Sequence, residues 1–235
     1  MKEVIALSLK DSKNILRDPI LLIAIFVPII TAISASTGLP YLQEWLFTQF
    51  SWDLSPYYLY ILALLLLMTP LMMGTIMGFM LLEERDENLL LFYAVTPLQK
   101  RGYLLYRIMS PMILTLLLTL IVLKIQSFVS FSWPSALMTA VLLALQSVLF
   151  TLGMATLSAS KVEGLAVSKM MNLLLFASLP SLLFEGKWTQ FFALFPTYWP
   201  PTVFIEGNPW DFLISLIIHI IWIVLFLNGF NKKNE

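Results

Sequence analysis

The sequence predicts an all-α integral membrane protein with six transmembrane helices and both termini in the cytoplasm. Three observations predict it. Only 12% of the 235 residues are charged and 59% are hydrophobic, whereas a soluble domain averages about 25% charged. Six apolar runs, 20–37, 57–82, 104–128, 135–159, 165–184 and 210–230, are long enough for helices that cross a bilayer, and none alternates in polarity as barrel strands do. With the N-terminus inside, 12 of the 14 Lys and Arg residues fall on the inner side, leaving Lys124 and Lys187 outside. The whole chain, 1–235, reads as one membrane domain, without repeat, low-complexity tract or linker.

Taken in order, residues 1–18 place Ile5, Leu9 and Leu16 on one helical face and Lys10, Lys13 and Arg17 on others. Such a segment lies in the headgroup layer, either as an amphipathic elbow helix or as a simple positive anchor. The first span leads to an outer connection, 38–56, rich in aromatics and free of bases, as suits the outer interface belt. The second span carries Pro70, which predicts a kink. It also carries Gly74 and Gly78 in a GxxxG spacing that permits close helix approach. Met68, Met72, Met73, Met77 and Met80 cluster there. Methionine repacks around varied ligands, so Met72, Met73 and Met77 are candidates for a translocation path; ordinary packing is the alternative.

Next comes the most charged stretch, EERDENLLLFYAVTPLQKR, Glu83 to Arg101, with four acids and three bases. Glu83, Glu84, Asp86 and Glu87 require the helix to leave the bilayer core by about Glu83. Leu89 to Val95 form a short apolar block, Thr96-Pro97 ends it, and Lys100, Arg101 and Arg107 open the return into the third span. A generic inner turn explains seven apolar residues outside the spans poorly. An amphipathic helix that seats in a partner's groove explains them better.

Lys124 sits near the outer end of the third span, where its stem can snorkel. Residues 185–209 hold four prolines and many aromatics, and are apolar enough to re-enter the membrane between spans five and six, ended by Pro196 and Pro200-Pro201. His219 stands alone in the last span, as a packed polar residue or a second candidate for the path.

What is missing narrows function. One His, no Cys, no HExxH and no GxSxG leave no catalytic or metal-ligating set, so the chain is not expected to be an enzyme. No GxxxxGK[ST] is present, so no cofactor or nucleotide is expected in this chain. Net charge is zero, which offers nothing to nucleic acid.

The order Gly78, Glu83, Glu84, Arg85, Asp86, an apolar block to Val95, Thr96, Pro97, Leu98 and Tyr103 resembles the ABC-2 type permeases, the membrane subunits of a class of ATP-binding-cassette exporters. Asn88-Leu89 stands where that family usually has Gly-Thr. Lys13 to Pro28 resembles the family's approach to its first span, and FPTYWPP, Phe195 to Pro201, its segment before the last. Those two stretches resemble bacterial drug-export permeases in particular, fluoroquinolone-type systems included.

The resemblance implies a bacterial plasma-membrane exporter subunit. It would work with a second permease, the same or a related chain, and two copies of an ABC ATPase that binds ATP and Mg. A coupling helix between spans two and three would dock the ATPase through Glu83, Glu84, Arg85, Asp86, Leu90, Leu91, Phe92, Thr96 and Pro97. Phe195, Pro196, Tyr198 and Trp199 would form the extracellular gate. An amphipathic, drug-like molecule is the leading cargo; an antimicrobial peptide or bacteriocin, or sodium, is the alternative. Readings of another class are a non-transporting membrane anchor for a soluble partner and a channel.

Overall fold

The computed structural model describes residues 19–87, 99–180 and 186–233, and among them there are helices and turns but no strand. The elbow expected within 1–18 and the apolar block Leu89 to Val95 lie outside the described residues. Among the described residues, five helical stretches are long and apolar enough to cross a membrane: Leu22–Phe50, Ser55–Asp86, Leu105–Ile125, Trp133–Leu157 and Pro209–Phe230. The chain is thus a multi-pass, all-helical membrane protein.

Helix α1, Pro19–Phe50, is longer than its predicted span and replaces much of the expected loop 38–56. At 32 residues it runs about 48 Å, against a hydrocarbon core of about 30 Å. Pro40 lies within it and costs a backbone donor without ending the helix. The Gln43 side chain holds the extension to the following turn: its amide donates to Asp53 Oδ1 (2.7 Å), and its carbonyl accepts from Leu54 N (2.6 Å). Two hydrogen bonds from Ser55, through its hydroxyl and its N–H, hold the Asp53 carboxyl below its usual pKa.

The second span is two helices, α2 (Tyr58–Leu66) and α3 (Met68–Asp86), broken at Leu67. Pro70 causes the break, because it has no N–H for the Leu66 carbonyl. Thr69 supplies the missing donor: its hydroxyl bonds Leu66 O (2.8 Å) and meets the Thr119 hydroxyl (2.9 Å). The third and fourth spans are α4 (Gln99–Ile125) and α5 (Trp133–Leu157).

The predicted span 165–184 starts earlier and runs less regularly. Helix α6, Lys161–Leu173, is followed by a 3-10 turn, Leu174–Ser178. Ser160 caps α6 by accepting from Glu163 N (3.4 Å), while the Glu163 carboxylate accepts from Ala159 N (2.6 Å). After residue 186 come two 3-10 segments, Lys187–Leu194 and Pro196–Tyr198, and then α7, Trp199–Glu206. Gly207, at φ +65°, ends α7 by donating its N–H to Val203 O (3.0 Å). The last helix is α8, Pro209–Lys233.

Helix α5 is the centre: 78% of its apolar window is buried, against 11% for α1 and for α8. Helices α3, α4, α7 and α8 all pack on it, α1 covers α3 and α4, and α6 lies against α3 and α5. The α3–α5 contact depends on glycine. A Cβ at Gly74 would lie 2.5 Å from Phe150 Cβ and 2.7 Å from the Ser147 carbonyl oxygen. The near approach is used: Thr151 Oγ1 bonds both Ser147 O (2.9 Å) and Gly74 O (3.2 Å).

Gly74→Ala therefore has to push two backbones apart and is expected to cost about 1–3 kcal/mol. Gly38→Ala, whose Cβ would meet nothing within 4 Å, is expected to leave stability unchanged or slightly raised. Thermal unfolding of both variants in detergent checks the contrast.

Candidate functional site

A helix turns by about 100° per residue, so four consecutive side chains at its end point in four directions. At the inner end of α3 those four are Glu83, Glu84, Arg85 and Asp86, and each finds a different partner. Glu84 is 7% exposed and points at α4, where Tyr103 is fully buried and Arg107 is 1% exposed. Arg107 grips the carboxylate with two nitrogens: Nε donates to Oε2 (3.0 Å) and Nη2 pairs with Oε1. The Tyr103 hydroxyl donates to the same Oε2, and Arg107 Nε also lies 3.3 Å from that hydroxyl. The guanidinium sits 5.5 Å from each of the Tyr103 and Tyr106 ring centroids. A bidentate, ring-flanked arginine is the arrangement that makes a buried ion pair tolerable.

Arg85 turns the other way. Its Nη1 donates to the Ser158 carbonyl at the end of α5 (2.9 Å), and its guanidinium lies 5.3 Å from the Phe230 ring on α8. Asp86 accepts from Lys161 N, the first residue of α6 (3.0 Å), where the helix dipole favours an anion. Glu83 forms an exposed ion pair with Lys161 Nζ (3.0 Å). One turn of α3 is thereby tied to α4, to the α5–α6 connection and to α8. This hub borders residues 88–98, so the expected docking residues Leu90, Leu91, Phe92, Thr96 and Pro97 lie outside the described residues.

The expected path residues are packed within the helical bundle. Met73 and Met77 are buried in one cluster with Ile76, Met80 and Leu118, against which Met72 and residues of α1 pack. His219 is fully buried; its Nδ1 lies 2.8 Å from Ser215 O, and its Nε2 lies 3.1 Å from the Gln146 side-chain oxygen on α5. Gln146 also edges a cavity of about 30 Å³ walled by Phe150, Phe195, Trp222 and Phe226. That volume holds a water or two, not a drug-sized molecule.

The four expected gate residues adjoin one another. Phe195 lines the cavity, Pro196 and Trp199 are buried, and Tyr198 meets Trp199 edge-on at 5.4 Å. The Trp199 indole donates to Ala193 O (2.8 Å). Thr197, between them, donates to Leu174 O (2.7 Å), where α6 tightens into its 3-10 turn.

The sequence profile of the Rv2686c-like family, described as fluoroquinolones export permease protein Rv2686c-like, matches residues 11–227, from before α1 to within α8. The chain belongs to this family. Two Mycobacterium tuberculosis proteins are similar to it: the fluoroquinolones export permease protein Rv2686c of strain H37Rv and its counterpart MT2760 of strain CDC 1551. Each is 25% identical over 225 residues, covering 91% of this chain and 89% of its own. No solved structure matches.

Within this Rv2686c-like chain, Arg107 is the residue that sequence reading undervalued. It reads there as one of three bases opening the third span. The available signal is the spacing: Tyr103 and Arg107, four apart, share one face of α4. Gln146 carries no motif in its apolar run, yet it sits opposite His219. Lys161 carries no motif, and only the fold brings it to Glu83 and Asp86.

Removing one partner of the Glu84–Arg107 pair leaves a buried charge, so Arg107→Met is expected to cost about 3–5 kcal/mol. The Glu84→Met/Arg107→Met double variant should recover much of that loss. Chemical unfolding in detergent gives the cycle; strictly additive losses would mean that the two side chains do not act as a pair.

Proposed function

We propose that this chain is the permease subunit of an ABC-2 type exporter in a bacterial plasma membrane, moving an amphipathic, drug-like molecule outward. In this reading it has six spans with both termini inside, α6 and the turns after it forming the fifth. It pairs with a second permease and is driven by two copies of a separate ATPase that binds ATP and Mg. Family membership supports the transport class, and the relatives' printed names support a drug as cargo.

The observation that carries the mechanism is the hub of Glu83 to Asp86. A push on segment 83–97 by a closing ATPase would arrive at the end of α3. The Glu84–Arg107 pair makes α4 follow α3, because separating them exposes two charges to a low dielectric. Arg85 and Asp86 would pass the displacement to the α5–α6 connection and α8. The ATPase contact itself is assigned to Leu90, Leu91 and Phe92, whose apolar side chains suit a groove. The outer segment with Phe195, Pro196, Tyr198 and Trp199 is assigned to the exit, re-entering the membrane under cover of α5 and α8.

Purification from native membranes in a mild detergent is expected to bring down a P-loop ATPase in stoichiometric amount. Changing Leu90, Leu91 and Phe92 to Asp should release it. Asp86→Asn, which spares the buried Glu84–Arg107 pair, should keep the ATPase bound but weaken stimulation of its hydrolysis. A chain that binds a soluble partner and yields no ATP-dependent flux would instead be a membrane anchor.

A further inference from the structure

The small cavity where α5, α6, α8 and the outer segment meet has a chemistry of its own. Four rings wall it, Phe150, Phe195, Trp222 and Phe226. Two polar side chains border it, Gln146 and Thr197, at 2% and 1% exposed, and no charged residue does.

What those two groups offer an occupant follows from the partners they already have. Thr197 uses its proton on Leu174 O (2.7 Å), so its hydroxyl has only lone pairs left. Gln146 is set by His219. The His219 Nδ1 lies 2.8 Å from Ser215 O, which can only accept, so Nδ1 carries the proton. Helix α5 has no charged residue, and Asp211, the acid of α8, is eight residues from His219, so neither helix supplies a counter-ion for a second proton. Nε2 therefore presents a lone pair to Gln146, at 3.1 Å. A lone pair facing an oxygen would be repelled, so the amide is turned by half, a change that alters no shape. Its NH2 donates to Nε2, and its oxygen, without a partner among the described residues, is left for the cavity.

We infer that this cavity is a site for a protonated amine, the ammonium head of an amphipathic cargo. Both polar groups on the wall are acceptors, and an ammonium donates to both. The rings add attraction, because aromatic faces favour a cation. A carboxylate would meet lone pairs there and no donor. The volume of about 30 Å³ takes a group the size of one or two waters. Only the head enters, and the apolar remainder lies against Trp222 and Phe226, which are part-buried and border the outside as well. This deepens the drug-export reading by naming the part of the cargo that is held, and it rests on that reading for what the cargo is.

Binding is tested without transport. The chain is placed in nanodiscs of zwitterionic lipid and titrated with para-fluorobenzylammonium, followed by fluorine NMR against empty discs. Saturable binding of the amine is expected, and none of para-fluorobenzoate, which has the same ring and an acceptor head. Gln146→Leu should weaken the amine about tenfold, the loss of one hydrogen bond to a charged group. Trp222→Leu, outside the Gln146–His219 pair, should weaken it as well and serves if loss of the amide unfolds the chain. Benzoate binding as well as the amine, no saturable amine binding, or amine binding unchanged in both variants would overturn the site and leave a cavity for water only.

Flux of ciprofloxacin into inside-out vesicles separates this from the export reading. Amine binding without drug flux would sink that reading and leave the site standing. Drug flux without amine binding would do the reverse.

Discussion

The inner half of the protein depends on one ion pair. Glu84 is placed inside the protein by the helix that carries it, two residues past the buried Leu82, and a carboxylate there survives only with a matching cation. Arg107 meets that demand with two nitrogens, and Tyr103 with a hydroxyl. The pair fixes how α3 and α4 approach each other at the inner end, on either side of residues 88–98. With that angle set, the neighbouring side chains of the same turn can reach the end of α5, the start of α6 and the ring of Phe230.

The rest of α3 follows the same logic of satisfying what the membrane cannot. Pro70 leaves a carbonyl without its helical donor, and Thr69 covers it while bridging to Thr119 on α4. Gly74 removes a side chain so that α5 can come close enough for Thr151 to bond the α3 backbone. Small residues and hydroxyls do the work of association where apolar burial gives little preference over lipid. This helix is kinked at one end, pressed against its neighbour in the middle and tied by charges at the other.

Much of this was legible in the sequence, and the reasons it was partial are physical. Helix class, the spans now seen as α3, α4, α5 and α8, and the end of α3 near Glu83 follow from hydropathy and charge, which act locally. The close packing at Gly74 follows from spacing on one helix. Pairings across long stretches of chain left no local mark: Arg107 with Glu84, Gln146 with His219, Lys161 with Asp86. The outward run of α1 to Phe50 was hidden because Gly38 and Pro40 look like loop punctuation, although proline within a long helix only removes a donor.

Helix α6 is fastened at both ends, and that has a consequence for leakage. Its first residue is held by Asp86 and Glu83 at the inner side, and the carbonyl just past its last turn is held by Thr197, beside the aromatic residues of the outer segment. On the exporter reading proposed above, it is a short rod between two doors. In an exporter built this way the inner door cannot swing without loading the outer one, much as an airlock links its hatches. Cutting either fastening would leave a protein that folds and still opens, but whose two sides no longer take turns.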